Sequence, residues 1–256
     1  MNNSITSINF CPVKSLSFQS LKSCNIKQDR GIVNDRVFAF SRGINLEKAK
    51  LIEKNPKKRK LNILLSLKNS PVLNKYNFIY NKNRLVLNYN GKEIISISTD
   101  KPEERSLISE KLAKLEKSLK EPIYLLKNNE FPFFDTSHSN KIFNSISLIN
   151  INSISDFEKK INEKVEFQRF RGNFYMDGIE PWEERKWIGK TIKINNVSFK
   201  VENNIPRCVA INLKPKSDDN SLNLLQSLKK TYNHFDIGVY LTALEDGIIN
   251  VGDKIN

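Results

Sequence analysis

Cysteine and histidine are scarce in this sequence of 256 residues. The three cysteines, Cys11, Cys24 and Cys208, are widely spaced and form no CxxC pair, and the only histidines are His138 and His234. This set is too small for a zinc site of ordinary composition, and a disulfide scaffold is not expected in a cytoplasmic protein of this size. We therefore expect structural roles for Cys11, Cys24 and both histidines.

Long apolar runs are also missing. No stretch approaches the roughly 18 apolar residues that a bilayer-spanning helix needs, and the first residues lack the basic flank and apolar run of a secretion signal. Hydrophobic residues nevertheless make up 39% of the chain and charged residues 27%. Such a balance is typical of a globular protein with a packed core. We expect a cytoplasmic protein that does not use a membrane as its partner.

Arginine is the third scarce residue, with 10 Arg against 32 Lys. The formal net charge of +14 would attract anions, but the excess is rich in Lys and Asn, a composition typical of an AT-rich genome. Aromatic residues do not alternate with the basic runs, so nucleic-acid binding is not favoured. Each arginine is correspondingly informative, because lysine cannot replace its planar guanidinium. The basic run Lys54–Lys60 is expected to be a solvated loop, with a polybasic interaction patch as the alternative.

Short strands separated by turns dominate the chain and predict a mainly β protein with a few helices, of the α+β class. Asn90-Gly91 predicts a hairpin. The predicted helices are Glu103–Lys120, Ser153–Glu163 and Ser221–Thr231. The predicted strands are Ser7–Phe10, Phe18–Ile26, Arg36–Phe40, Leu61–Leu67, Asn77–Tyr80, Arg84–Tyr89, Glu93–Ser98, Glu166–Phe170, Phe174–Asp177, Thr191–Asn195, Ser198–Glu202, Val209–Leu213, Val239–Leu244 and Lys254–Ile255. The segment Phe131–Ser147 is expected to be a loop.

Two turns near the N-terminus carry polar groups that suit an anion. Lys14 and Ser15 directly follow a predicted strand, and a cationic donor beside a hydroxyl suits a phosphate or a polar ring. Gly31 begins a turn that delivers Asp35 and Arg36 to the next strand. Arg36 either binds an anion or forms a local ion pair that fixes the turn.

Two further segments lie in the C-terminal half. Arg171 and Asn173 alternate along a predicted strand and would face the same side, where a guanidinium and an amide suit a phosphate or a pterin edge. Cys208 follows Arg207, and a neighbouring guanidinium favours the reactive thiolate form of cysteine. The alternative for Cys208 is a small buried core residue.

Taken in order, these segments resemble the MOSC family, the C-terminal domain type of molybdenum cofactor sulfurases, preceded by its usual N-terminal β-barrel domain. The resemblance covers nearly the whole chain. It is carried by PVKS at Pro12–Ser15, GIVNDR at Gly31–Arg36, FRGNFYMDGIEPWEERKW at Phe170–Trp187, RC at Arg207–Cys208, FDIGVY at Phe235–Tyr240 and INVGDKI at Ile249–Ile255. It implies an N-terminal β-barrel-like domain over residues 1–122 and a MOSC β-barrel domain over residues 123–256.

Within the family the sequence is similar to the amidoxime-reducing component and to bacterial reductases of N-hydroxylated bases. The resemblance implies that Cys208 is the catalytic residue and the protein ligand of molybdenum, with Arg207 tuning its thiolate. It also implies that the molybdenum cofactor is bound by Lys14, Ser15, Arg36, Arg171 and Asn173. The implied reaction converts N–OH to N–H plus water. Its electrons would come from a separate iron–sulfur, flavin or haem protein, and we expect a monomer.

The chain departs from the family pattern in several places, among them Lys216-Ser217-Asp218 in place of Thr-Gly and the Lys-rich Ile44–Lys60 in place of an Arg-containing segment, and other functions stay open. Lys214-Pro215 stands where many relatives have Asp-Pro, and Gly172 stands where relatives usually have Pro, which should loosen the backbone. One alternative function is a sulfur carrier or transferase with a persulfide on Cys208, and another is a non-catalytic basic binding protein. Pyridoxal phosphate is not favoured, because no lysine is placed persuasively for a Schiff base.

Overall fold

The computed structural model describes residues 3–135 and 142–256, so His138 lies outside the described residues. In those residues the chain is mostly sheet with four α-helices, which confirms the predicted α+β class. The helices are α1 Leu46–Lys54, α2 Pro102–Leu115, α3 Ile151–Ile161 and α4 Leu224–Tyr232. The strands are β1 Ser4–Phe10, β2 Gln19–Leu21, β3 Ser23–Lys27, β4 Gly31–Ile32, β5 Phe38–Phe40, β6 Tyr76–Asn81, β7 Arg84–Tyr89, β8 Lys92–Ser98, β9 Leu125–Lys127, β10 Ile146–Asn150, β11 Phe174–Asp177, β12 Thr191–Ile194, β13 Val197–Pro206, β14 Asp236–Ala243 and β15 Gly247–Asn250.

The largest sheet combines strands from both ends of the chain in the order β12-β13-β14-β10-β11-β1-β2. Only β10 and β11 pair in parallel; the other neighbours are antiparallel. The N-terminal strand β1 pairs with β11 through Ile8 and Phe174, and β3 pairs with β15 through Cys24 and Ile249. The division between residues 122 and 123 stays a prediction, and strand pairing ties the two sides of that position together.

A three-stranded meander, β6-β7-β8, is packed against helix α2. The predicted hairpin turn lies between β7 and β8, where Asn90 and Gly91 have φ angles of 49° and 74°, the positive values that a two-residue hairpin turn favours. Ile108 and Leu112 form the buried stripe of α2. This helix ends at Leu115 rather than Lys120, because the next residue, Glu116, leaves helical geometry and accepts the Tyr76 hydroxyl hydrogen at 2.6 Å.

Three predicted strands are wrong, because the chain forms short 3-10 turns there. The turns are Leu61–Ile63, Phe167–Phe170 and Val209–Asn212. Lys254 and Ile255 form isolated bridges only. A short run of apolar residues can be buried in a strand or in a tight turn that packs against the core. The spacing of the apolar residues in so short a run does not distinguish a strand from a turn.

Helix α1 and strands β10 and β15 were also not predicted from the sequence. Helix α1 buries only Ala49 and Ile52 within a lysine-rich segment, so its amphipathic pattern is weak. Strand β10 is buried at every position and therefore lacks the alternation that identifies a half-buried strand. In the part of the chain that is described, no helix has the length and apolar character to cross a membrane.

Candidate functional site

A cavity of about 690 Å³ opens between the turns that follow β1 and β4 and the segments that precede β11 and follow β13. All six site residues predicted from the sequence line it: Lys14, Ser15, Arg36, Arg171, Asn173 and Cys208. The structure therefore brings together side chains that are up to 194 positions apart in the chain, from Lys14 to Cys208. Their geometry shows what each can offer to a ligand.

Lys14 lies in the turn after β1, where its backbone N–H donates to the carbonyl oxygen of Phe38 at 2.7 Å. The Lys14 side chain is almost buried, and its ammonium group contacts the carboxylate of Asp135. Ser15 adopts a left-handed conformation with φ 62°, and its hydroxyl oxygen accepts the backbone N–H of Leu67 at 3.2 Å. The turn thus places one cation and one hydroxyl at the cavity wall.

Asp35 is fully buried beneath the cavity and forms an ion pair with Arg36. Its Oδ1 accepts the backbone N–H of Cys11 at 2.6 Å, and its Oδ2 accepts the amide of Asn173 at 3.1 Å. Burial raises the pKa of Asp35, while Arg36 and these donors act in the opposite direction and stabilise its anion. The turn therefore contains a buried ion pair and not an exposed one.

The guanidinium of Arg36 is held between this carboxylate and an aromatic ring. Its Cζ lies 5.0 Å from the centre of the Phe134 ring, in cation–π contact. Burial acts to lower the pKa of Arg36, but the Asp35 carboxylate, together with weaker contributions from Cys11, Tyr240 and Asp135, raises it overall. Arg36 consequently stays charged at the cavity wall.

Arg171 follows the turn Phe167–Phe170 in a left-handed conformation with φ 53°, so the prediction that it lies in a strand is wrong. One of its N–H groups donates to the carbonyl oxygen of Leu16 at 2.6 Å, and its Cζ lies 5.0 Å from the centre of the Phe18 ring. Burial lowers the pKa of Arg171, and the neighbouring Arg36 adds to this effect. Within the described residues no carboxylate pairs with Arg171, so an anionic ligand would compensate its charge.

Asn173 immediately precedes β11 and is fully buried. Its amide nitrogen donates to the carbonyl oxygen of Asn9 at 3.1 Å and to Asp35, and its Oδ1 accepts the N–H and O–H of Ser147 at 3.2 and 2.9 Å. These contacts use all four hydrogen-bonding positions of the side chain. Asn173 therefore holds Asp35 and Ser147 in place and has no free polar position for a ligand.

Gly172 does not loosen this segment. A Cβ at this position would lie 2.7 Å from Cδ1 of Ile149 and 3.0 Å from Cζ of Tyr175. The hydroxyl of Tyr175 accepts the Gly172 N–H at 2.9 Å. Glycine here allows close packing against β10, so the prediction of a loose backbone is wrong.

Cys208 is exposed and lies between β13 and the turn Val209–Asn212, so it is neither a buried core residue nor part of a strand. The guanidinium of the neighbouring Arg207 binds backbone carbonyl groups: it donates to the oxygens of Ile237 at 2.9 Å and Phe170 at 2.8 Å. These contacts give Arg207 a structural role beside the cysteine. The expectation that Arg207 tunes the thiolate stays a prediction, because none of its hydrogen bonds is to the Cys208 sulfur.

Three buried polar atoms in the cavity wall have no hydrogen-bond partner among the described residues: Nε of Arg42, Oδ1 of Asn144 and Oγ of Ser145. Gly31 has φ 90°, and a Cβ there would lie 2.7 Å from the Ser145 oxygen, so this glycine makes room for the hydroxyl. The sequence prediction missed all three residues. The scarcity of arginine could have indicated Arg42, whereas Asn144 and Ser145 lie in a segment interpreted as a loop.

The charged and polar side chains of the cavity fit an anionic organic ligand. In residues 3–135 and 142–256, no three His, Cys, Asp or Glu side chains lie close enough together to hold a metal ion. The cavity lining instead offers one exposed thiol and five cationic side chains, and three of its buried polar atoms, including Nε of Arg42, lack a partner among the described residues. A metal bound here would have Cys208 as its protein ligand and would receive further ligands from the organic group.

Two solved structures are similar to this chain at low identity. The YuaD protein from Bacillus subtilis is 10% identical, with 100% of this chain and 94% of that chain covered and a TM-score of 0.46. YiiM from Geobacillus stearothermophilus is 16% identical, with 43% of this chain and 52% of that chain covered and a TM-score of 0.35.

Among curated proteins, no sequence matches this chain. One family does match part of it. The family model described as the MOSC domain matches residues 135–256, the part of the chain that contributes Arg171, Asn173 and Cys208 to the cavity.

Proposed function

We propose that the cavity binds the molybdenum cofactor and that the protein reduces N-hydroxylated compounds. In this reaction an N–OH group takes up two electrons and two protons and becomes N–H plus water. The observation that carries the proposal is that the exposed thiol of Cys208 opens onto the same cavity as the charged side chains of Arg36 and Arg171. The MOSC domain match supports it, because some members of this family bind the molybdenum cofactor.

Each group in the cavity has a role in this proposal. The Cys208 thiolate is the protein ligand of molybdenum, and the phosphate of the cofactor is bound by Arg171, Arg36 and Lys14. The Ser15 hydroxyl and the three unpartnered atoms of Arg42, Asn144 and Ser145 hydrogen-bond the pterin edge. Asn173 makes no hydrogen bond to the cofactor and contributes by holding Asp35 in position.

When bound, the cofactor supplies the two-electron redox chemistry, and the chain supplies position and charge. Among the described residues the guanidinium of Arg171 has only the Leu16 carbonyl as a hydrogen-bond partner, so most of its N–H groups are available to an anion. Arg36 is oriented by Asp35 and Phe134 before any ligand arrives, which lowers the ordering cost of binding. Electrons come from a separate iron–sulfur, flavin or haem protein.

Metal and pterin content test the proposal. The protein should be purified from a host that makes the cofactor, together with the variants Cys208→Ala and Cys24→Ala. Cys24 is the matched control because it is buried in β3, away from the cavity. We expect near-stoichiometric molybdenum in the wild type and in Cys24→Ala, and less than about a tenth of it in Cys208→Ala. Metal-loaded protein should then reduce an amidoxime with a chemical reductant.

Absence of molybdenum from the wild type in a competent host would overturn the proposal. A second function would then gain support, because Cys208 is the exposed cysteine of the three and could carry a persulfide. Mass spectrometry after incubation with a cysteine desulfurase would detect sulfur on Cys208. Failure of both tests would leave a basic binding protein, which steeply salt-dependent retention of nucleic acid would support.

A further inference from the structure

We infer that a lysine-rich surface beside the cavity is the docking site of an acidic electron-transfer protein. The inference rests on the proposed function, since it names the class of partner and its place on this chain. The surface spans α1 and the turn after it. It presents six exposed lysines, which we call the basic surface: Lys48, Lys50, Lys54, Lys57, Lys58 and Lys60.

The positive charge of the basic surface is not compensated by the protein itself. None of the six lysines forms an ion pair in the described part of the chain. Between residues 45 and 62 the only exposed carboxylate is Glu47. The other acid, Glu53, accepts Arg105 at 2.7 Å and the backbone N–H of Lys127 at 2.7 Å. The surface therefore keeps a positive potential that would steer an acidic partner.

The segment is an ordered connection: Lys54 ends α1, Pro56–Lys58 form a 3-10 turn, and the four lysines of Lys54–Lys60 are exposed, as expected of a solvated loop. Arg59 is buried, and its guanidinium donates to the carbonyl oxygens of Ile52 at 3.0 Å and Phe131 at 2.6 Å. Its Cζ also lies 3.9 Å from the centre of the Phe133 ring. Burial lowers the pKa of Arg59 to about 10. These contacts fix the turn, so little chain entropy would be lost when a partner binds.

Apolar side chains lie among the lysines. Leu46, Leu51 and Leu61 are 47%, 50% and 53% exposed, which is high for leucine. Exposed apolar side chains in a segment with many charges match the composition of a docking interface with a polar rim. Electron-transfer complexes are among the smallest specific interfaces, so one short helix and the turn after it can supply much of the contact surface.

The basic surface leads directly to the cavity. Leu61 and Asn62 follow its last lysine and line the cavity, as does Lys68. The backbone N–H of Arg42, another lining residue, donates to the carbonyl oxygen of Ile63 at 2.9 Å. A protein docked on the basic surface would therefore stand beside the cavity, where electrons are needed.

The chemistry of the surface favours carboxylates over nucleic acid. Residues 45–62 contain no aromatic side chain on which bases could stack. The one arginine of the segment, Arg59, is buried and cannot present its planar fork to a phosphate. Flexible ammonium groups around exposed leucines match an acidic protein surface better.

Binding of a redox protein to the full chain tests the inference. The probe is an acidic [2Fe–2S] ferredoxin, with a basic cytochrome c of similar size as the opposite-charge control. The test variant is Lys57→Glu/Lys58→Glu. The matched control is Lys164→Glu/Lys190→Glu, which makes the same charge change at exposed lysines that do not line the cavity. Affinity is measured by titration calorimetry across a salt series.

We expect the ferredoxin to bind and the cytochrome not to bind. The Lys57→Glu/Lys58→Glu variant should weaken ferredoxin binding at least about tenfold at low salt, with less difference at high salt, and the control pair less than about twofold. Equal effects of the two variants would overturn the inference. So would absence of ferredoxin binding, whether or not anionic vesicles or duplex DNA bind the basic surface instead.

The readout separates this inference from the proposed function. Binding is measured without turnover, so the docking surface can fail while the metal content is normal. Conversely, absence of molybdenum from the wild-type protein would overturn the proposed function, whether or not ferredoxin binds. In metal-loaded protein, Lys57→Glu/Lys58→Glu should keep its activity with a chemical reductant and lose it with reduced ferredoxin.

Discussion

Asn173 donates its side-chain amide to Oδ2 of Asp35 at 3.1 Å, and this contact ties the segment before β11 to the turn that carries Arg36. Asp35 is fully buried and also accepts the backbone N–H of Cys11. The carboxylate thus links three separate segments under the cavity floor. The position of Arg36 depends on it, because a buried guanidinium needs an anion or a carbonyl beside it.

Replacement of Asp35 tests this arrangement. Asp35→Asn should lower the free energy of unfolding by about 3 kcal/mol, because Arg36 loses its buried counter-ion. In addition, the NH2 group of the new asparagine would face another hydrogen-bond donor, either the Cys11 N–H or the Asn173 amide. Urea unfolding at pH 7 measures the change. Asp218→Asn is the control, since Asp218 is exposed and forms no ion pair in the described part of the chain. A loss equal to that of the control would contradict the role of Asp35.

Two partly buried arginines should differ in how much the same substitution destabilises the protein. Arg171→Met should change the free energy of unfolding by no more than about 1 kcal/mol, because relief of repulsion with Arg36 offsets the lost hydrogen bond to Leu16. Arg207→Met should lower it by about 3 kcal/mol, because the carbonyl oxygens of Ile237 and Phe170 lose their donors.

The two variants should differ in the opposite sense in cofactor content: Arg171→Met should lose the cofactor and Arg207→Met should keep it. Arg171→Met should lose at least about tenfold of the bound pterin, since Arg171 keeps N–H groups free for an anion. Folded Arg207→Met protein should retain it. Chemical denaturation and pterin fluorescence of the same samples measure both effects. Loss of stability in Arg171→Met with normal pterin content would show that this arginine is structural.

The three cysteines should differ in reactivity toward a thiol reagent. Cys208 is exposed, whereas Cys11 and Cys24 are buried. Burial raises the pKa of the Cys11 thiol, and it raises the pKa of Cys24 to about 12. The native protein should therefore show one fast thiol and the denatured protein three. Cys208→Ala should remove the fast reaction, and a fast reaction that survives this change would place the reactive thiol elsewhere.

Much of the fold could be predicted from local pattern. Short β-like runs between turn signals identified β7 and β8, and the Asn90-Gly91 dipeptide located their turn, because both depend on short-range chemistry. The pairing of β1 with β11 could not be predicted, since it joins residues far apart in sequence. Strand β10 was missed for a related reason: both of its faces are covered by segments from elsewhere in the chain.

The candidate site shows the same division. Arg36, Arg171 and Cys208 could be selected from residue type and motif, and the structure places them on one cavity. The polar contacts of Asn173 could not be foreseen, because its four hydrogen bonds come from residues on three other segments. Ser145 was missed because its approach to the cavity depends on Gly31, which lies 114 positions earlier.

Glu184 offers a test of buried charge outside the cavity. It is fully buried, and its carboxylate accepts the Ser153 hydroxyl at 2.8 Å and the Asn150 amide at 3.1 Å. Burial raises the pKa of Glu184 above its ordinary value of 4.5. The folded state therefore favours the protonated acid. This contribution to stability is complete below the unfolded pKa and is lost as the pH rises through the folded pKa.

Glu184→Gln should consequently stabilise the protein at neutral pH. A glutamine can accept from Asn150 with its oxygen and donate to the Ser153 oxygen, so it keeps the contacts without a charge. We expect the variant to gain about 1 kcal/mol over the wild type at pH 7.5, and this gain to shrink toward pH 4.5. Urea unfolding at both pH values measures it, with the exposed Glu180→Gln as control. A gain that is the same at both pH values would mean that ionisation of Glu184 is not its cause.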